Sequence, residues 1–417
     1  MKRFCLFMAI LCATLPALCC CGPDPHYLQQ GETEHSSAPI EYVYIHSDDA
    51  PIEYQNTTNA HFGFHEGNLY YRDKSVLYRI EPMSGTKTSV CPDPVCEHLD
   101  AGCPVFSISS AFCFEDGIFY FDRLVMNGAQ MRESISSFDI SSGRSGTLYD
   151  RTECSKQYTR MMIYDGYLYF YRSFYSGEGE NKKVITDIAG IDLDSRKLIE
   201  VIKYDDTVYD HLIGGEDGYL YLSDPLGGIF RIESGKELPE KEYLYHFEGD
   251  ALANFYPDRM ALTGGSIYYY TSSDEGTTFW KIPTTGGEPQ KLAFDSSIKA
   301  DYCYYTQNYI YYSAVSQKKI GIFDGTDLFC DVYDIRRVSY ESGVCEAVFC
   351  EFPEGYETHS LMGGYIVAGN YIYTHTADWG DLKEKYEDSD YRHNSGYPGT
   401  VARIDIQTGE LKYIGSD

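Results

Sequence analysis

From about residue 60 onward the chain alternates short apolar runs with polar turns, and one phrase recurs, a turn pair followed by an aromatic-rich strand. The fullest copy is Asp165-Gly166-Tyr167-Leu168-Tyr169-Phe170. Asp217-Gly218-Tyr219-Leu220-Tyr221-Leu222 and Asp116-Gly117-Ile118-Phe119-Tyr120-Phe121 repeat it closely, and variants begin at Gly67, Gly265, Asn308 and Asn370. The central apolar positions of these copies are Leu69, Phe119, Leu168, Leu220, Ile267, Ile310 and Ile372, at intervals of 50, 49, 52, 47, 43 and 62 residues. A period of about fifty is the length of a propeller blade.

Asp-Gly suits a two-residue type I′ hairpin, which needs positive φ at both central positions, so each phrase predicts a β-hairpin. A third strand follows in Leu77–Ile80, Ile229–Ile232, Phe279–Ile282 and Ala402–Asp405, and a Gly-containing turn then leads to a fourth, as in Lys197–Tyr204 and Glu410–Ile414. The expectation is an all-β chain forming a seven-bladed β-propeller with four antiparallel strands per blade, or six or eight blades if an end repeat is degenerate. A β-solenoid has far shorter coils, and tandem sandwiches would not repeat one phrase at near-constant spacing.

This architecture assigns loops to faces. Links between second and third strands, and links between blades, emerge opposite the Asp-Gly turns. The longest insertions after second strands fall at Arg172–Lys183 and His375–Gly399, with a shorter one at Arg123–Glu133, and a Cys-rich stretch, Cys91–Ser110, joins the first two blades. All four are expected on one face, where binding and catalytic residues concentrate on a rigid scaffold.

Composition agrees with strands: 41 Tyr against 9 Met and 2 Trp, within 43% hydrophobic residues. A net charge of -29 argues against nucleic acid, whose phosphates call for clustered Lys and Arg. It fits neutral or cationic ligands, or simply a well-solvated surface.

The N-terminus changes the picture of where the chain works. Lys2 and Arg3 precede an apolar stretch, Phe4–Leu18, too short to span a bilayer comfortably, which reads as a secretion signal. It ends in Leu18-Cys19-Cys20-Cys21-Gly22, which resembles the bacterial lipoprotein signal, with Cys21 as the candidate for acylation and Cys19 or Cys20 as the alternatives. The predicted organisation is a signal peptide over 1–20, a flexible tether over 21–39 and one propeller domain over 40–417. This places the protein outside the cytoplasm, lipid-anchored to the cell membrane.

The repeats also resemble the YWTD-type propellers of lipoprotein-receptor-like proteins, and more closely those of bacterial surface lipoproteins. The likeness rests on the aromatic pair after the turn (Tyr70-Tyr71, Tyr120-Phe121, Tyr169-Phe170) and on the Arg-Ile step of the third strand (Arg79-Ile80, Arg231-Ile232, Arg403-Ile404). Trp never takes the second aromatic position and the following Asp is sporadic, so the resemblance implies the fold and carries no family function.

Two constellations are candidates for chemistry. The segment Ala377–Pro398 interleaves aromatics and acids, and Asp378, Trp379, Asp381, Tyr391, His393 and Tyr397 are its candidate ligand-binding residues, suited to a sugar or a cationic peptide. Asp388 and Asp390 could offer oxygen to calcium, although no calcium motif is present. Cys91, Cys96, His98 and Cys103 could close a zinc site, but the spacing departs from common zinc patterns, and in an exported protein a disulfide or free thiols compete. No cofactor is implied with certainty.

No Gly-x-Ser-x-Gly elbow, His-Glu-x-x-His helix, P-loop or dinucleotide fingerprint occurs. The function expected is therefore noncatalytic binding or scaffolding toward a glycan, peptide or partner protein through the loop-rich face. The alternative is a propeller-fold glycoside hydrolase or polysaccharide lyase, whose carboxylates would come from several blades.

Overall fold

The computed structural model is a seven-bladed β-propeller, with seven antiparallel sheets of four strands each. The structure describes residues 62–414 except 66, 74–75, 82–84, 94, 97–102, 106–107, 128–129, 153–160, 177–182, 205–209, 250–258, 324–325, 350–358 and 379–399. The signal, the tether and Cys21 lie outside the described residues. Each sheet uses four consecutive strands, and the first strands of blades one and two, two and three, four and five, and six and seven lie against one another, which puts first strands innermost.

The repeated phrase builds the core directly. Its seven central residues, from Leu69 to Ile372, are all 0% exposed. Each pairs across its hairpin with a third-strand apolar residue: Leu69 with Ile80, Phe119 with Phe138, Leu168 with Ile191, Leu220 with Ile232, Ile267 with Ile282, Ile310 with Val338 and Ile372 with Ile404. The partners are buried too. At roughly 1.5–3 kcal/mol per buried aliphatic side chain, this double ring is a leading source of stability.

The turns follow the expected chemistry. Asp116, Asp165 and Asp217 take φ of 49°, 53° and 51°, and the glycines after them 74°, 74° and 80°, as a type I′ turn demands. The turn between third and fourth strands is tied back to this hairpin. Just past the third strand, the N–H groups of Ile140, Leu193, Ser234, Thr284, Tyr340 and Ile406 donate to the carbonyls of Gly117, Gly166, Gly218, Gly265, Asn308 and Asn370, at 2.8–3.2 Å. Six blades thus hold their two turns together by the same bond.

The Arg of two Arg-Ile steps, and Arg337 at the same place before Val338, share a role. Arg231, Arg337 and Arg403 lie 4.3–4.4 Å over the rings of Tyr219, Tyr309 and Tyr371, cation–π contacts that cover the blade's aromatic strand. Arg231 and Arg337 further pair with Glu242 and Glu346 of the fourth strand.

Blades one and seven close the ring by packing. Leu69, Tyr71 and Ile80 share a cluster with Ile372, Val401 and Ile404, and among the described residues no strand is exchanged between the two sheets. Also among the described residues, no helix is long and apolar enough to cross a membrane.

Candidate functional site

The two ends of the propeller differ sharply. One end carries the hairpin turns between first and second strands, each two residues long where Glu115 pairs with Ile118, Tyr164 with Tyr167, Glu216 with Tyr219 and Thr263 with Ser266. Neighbouring turns touch: Gly218 N–H donates to the Tyr164 hydroxyl at 2.7 Å and Gly265 N–H to the Glu216 carboxylate at 3.0 Å. These turns therefore share a face, and the links between second and third strands share the other.

On that other face the links are long in four blades. In blade two, Ile118–Asn127 and Gln130–Asp139 pair out to Asn127 opposite Gln130. In blade three, Tyr167–Ser176 and Lys183–Asp192 pair out to Ser176 opposite Lys183. Blade seven extends its first two strands, His359–Ala368 and Tyr371–Asp378. The longest hairpin is in blade six, Tyr309–Phe323 with Thr326–Ser339, paired to Phe323 opposite Thr326. Its inner neighbour reaches only Ser313, and its outer neighbour begins opposite Ile335. Residues 314–323 thus run past the blade body for about 30 Å at 3.3 Å per residue.

These arms correct the loop reading. In Arg123–Glu133 the residues up to Asn127 and from Gln130 onward are strand, and in Arg172–Lys183 the residues up to Ser176 and Lys183 itself are strand. The blade-six arm was not expected, yet the sequence signals it twice. The interval from Ile310 to Ile372 is 62 residues, and Asp324-Gly325, a type I′ pair, separates Phe323 from Thr326. Of the aromatic-acidic candidates, Asp378 closes the blade-seven strand opposite His359, while Trp379, Asp381, Tyr391, His393 and Tyr397 lie outside the described residues, as do Asp388 and Asp390.

The cysteine candidates do come together. Cys91, Cys96 and Cys103 place their Sγ atoms within 4.8 Å of one another, and all three are free thiols. Cys91 follows the last strand of blade one, its N–H donating to Ser89 Oγ at 3.1 Å. An Asx turn shapes the next residues, with Val95 N–H on Asp93 Oδ1 at 3.0 Å and Cys96 N–H on the Asp93 carbonyl at 3.2 Å. Arg123 Nη2, from blade two, donates to the Cys103 carbonyl at 2.7 Å. Cys91, Cys103, Val105 and Ile108 bury with Tyr70 and Leu77 of blade one and with Phe119, Phe121 and Phe138 of blade two. Burial raises the Cys91 thiol and pushes Cys103 up to about 12, because a thiolate there would lose its hydration. His98, the fourth candidate, lies outside the described residues.

Three buried carboxylates elsewhere are tied to cations. Asp187 accepts two bonds from Arg172, Asp210 pairs with Lys241, and Asp295 meets Arg336 at 3.2 Å while accepting from Tyr312 at 2.8 Å. Asp224 caps a turn, accepting from the N–H groups of Leu226 and Gly228 at 2.9 and 2.8 Å. Each of these groups stabilises the scaffold.

No protein-family model matches the chain, and no curated protein does either. Among solved structures it is similar to one of two prolyl endopeptidases, at 11% identity over 89% of this chain and 50% of the other, with a TM-score of 0.53. The acylaminoacyl peptidase of Pyrococcus horikoshii gives 11% identity, 87% and 54% coverage and a TM-score of 0.50. A chain of a nidogen/laminin complex gives 10% identity, 67% and 88% coverage and a TM-score of 0.32. The chain spans about half the length of the peptidases it matches. The likeness to the two peptidases, at 11% identity, is one of fold alone.

Proposed function

We propose that the protein is an exported lipoprotein, held at the bacterial membrane through Cys21, that binds a partner polypeptide without chemistry through the face bearing the long hairpins. The observation that carries this reading is the asymmetry of the ring, with arms in blades two, three, six and seven on one face and short turns on the other. Beyond Ser313 and Ile335 neither the first nor the fourth strand of blade six pairs with the arm. Its edges suit pairing with an extended segment of a partner, as in strand addition. The charge of -29 favours a basic segment. The lipoprotein assignment is supported by Leu18-Cys19-Cys20-Cys21 after a short apolar run.

A glycoside hydrolase would need two carboxylates converging at about 5–9.5 Å. That Asp187, Asp210 and Asp295 each hold a structural cation supports the noncatalytic reading.

The test is an array of extracellular peptides, proteins and glycans probed with the full chain and with a variant whose residues 316–332 are replaced by Asp-Gly, which closes the arm at the Val315–Tyr333 pair. Binding to basic polypeptides, lost or weakened at least tenfold in the trimmed variant, is expected. Binding confined to glycans, or unchanged by trimming, overturns the reading.

A further inference from the structure

The linker joining blades one and two gathers three thiols that neither the fold nor the hairpin face explains. We infer that Cys91, Cys96 and Cys103 hold a zinc ion that fastens this linker over the joint between the two blades.

Geometry comes first. Zn–S bonds of about 2.3 Å in a tetrahedron place sulfurs about 3.8 Å apart. The three Sγ atoms already lie within 4.8 Å of one another, so a contraction of about 1 Å or less closes the shell. Cys96 is half-buried and sits on the short Asx turn, so it is the ligand best able to make that adjustment. Pro92 and Pro104 each follow or adjoin a ligand and limit the freedom the linker loses on binding.

Donor chemistry narrows the choice to a soft or borderline ion, of which zinc is the one proposed. Three soft sulfurs with no carboxylate among them suit zinc and exclude hard cations such as calcium and magnesium. A disulfide would consume two of the thiols and strand the third in an apolar cluster, whereas a metal uses all three.

Charge balance agrees. Three thiolates and one divalent ion carry a net charge of -1, and the Arg123 guanidinium, bonded to the Cys103 carbonyl at 2.7 Å, brings the offsetting positive charge to the same joint. The fourth coordination position is left to water or another donor, and the inference stands on the three thiolates alone.

Without metal, burial favours the protonated form of the Cys91 and Cys103 thiols, so zinc displaces protons there. Reduced, metal-free full-length chain titrated with zinc should take up one ion per chain, with protons released as it binds. Cobalt in its place should give the thiolate-to-metal charge-transfer absorption of a sulfur-rich site. Cys91→Ser, Cys96→Ser and Cys103→Ser should each weaken uptake by at least the 10–100-fold that even outer-shell partners contribute, and Cys345→Ser should leave it unchanged. Circular dichroism of Cys96→Ser, whose side chain is half-buried, separates loss of metal from loss of fold. A folded, reduced chain that binds no zinc, or uptake that survives the three substitutions, would overturn the inference.

Discussion

Gly166→Val isolates the backbone cost of the repeated hairpin. Gly166 sits at φ 74°, and a Cβ built there meets nothing within 4 Å, so no packing clash enters. The left-handed conformation costs an L-residue roughly 1–2 kcal/mol, and a β-branched side chain belongs at the upper end. Asn tolerates this region, so Gly166→Asn should lose less than half as much. Gly215, in the inner strand of the next blade, offers the opposite case. It carries no positive φ, but an added Cβ would fall 2.2 Å from Cγ of Tyr164. That ring cannot swing aside without giving up the bond its hydroxyl accepts from Gly218 N–H. Gly215→Ala should therefore cost about 1–3 kcal/mol through overpacking, and Tyr164→Ala in the same chain should recover part of it. Urea unfolding followed by both circular dichroism and Tyr fluorescence measures these values and checks that the transitions coincide. Equal losses for Val and Asn at 166, or a Gly215→Ala loss untouched by Tyr164→Ala, would refute the reasoning.

Two further outcomes follow from buried and capping charges. Arg172→Met should destabilise by about 3–5 kcal/mol, because it leaves Asp187, 1% exposed, without the guanidinium that donates to it at 2.7 Å, and adding Asp187→Leu should restore most of the loss in urea midpoint. Asp139 is held well below the usual carboxylate range by the Ser142 hydroxyl, with the Ser141 hydroxyl and the backbone N–H groups of both serines adding to it. A depressed folded pKa means stability that is present above the unfolded value near 3.9 and lost as pH falls through the folded one. The gap in urea midpoint between the parent chain and Asp139→Ala should hold from neutral pH to about pH 5 and narrow below about pH 4.

Most of the scaffold was legible because its determinants are local. Asp165-Gly166 dictates a turn by its own backbone preferences, and Leu168 must be buried in any sheet that alternates as this one does. The blade-six arm was harder to see, because its length is set by pairing between Val315 and Tyr333, eighteen residues apart, and only Asp324-Gly325 marks it locally. Register shifts at Ile135/Ser136, Ile188/Ala189, Ile229/Phe230, Phe279/Trp280 and Ile335/Arg336 fall at the same place in five blades. They twist the outer strand and leave no compositional mark. The thiols were identified as a group from their spacing, but their convergence depends on the Asp93 turn and on Arg123 from another blade, contacts that spacing does not encode.

The central claim is that the arm-bearing face, and not the short-turn face, receives the partner. Photo-crosslinking of the polypeptide bound on the array tests it most directly, with the crosslinker placed in turn at Ile322 on the blade-six arm and at Asp165 and Asp217 on the opposite turns. The account predicts adducts from position 322 and none from 165 or 217. Adducts from 165 or 217, with none from 322, would contradict it.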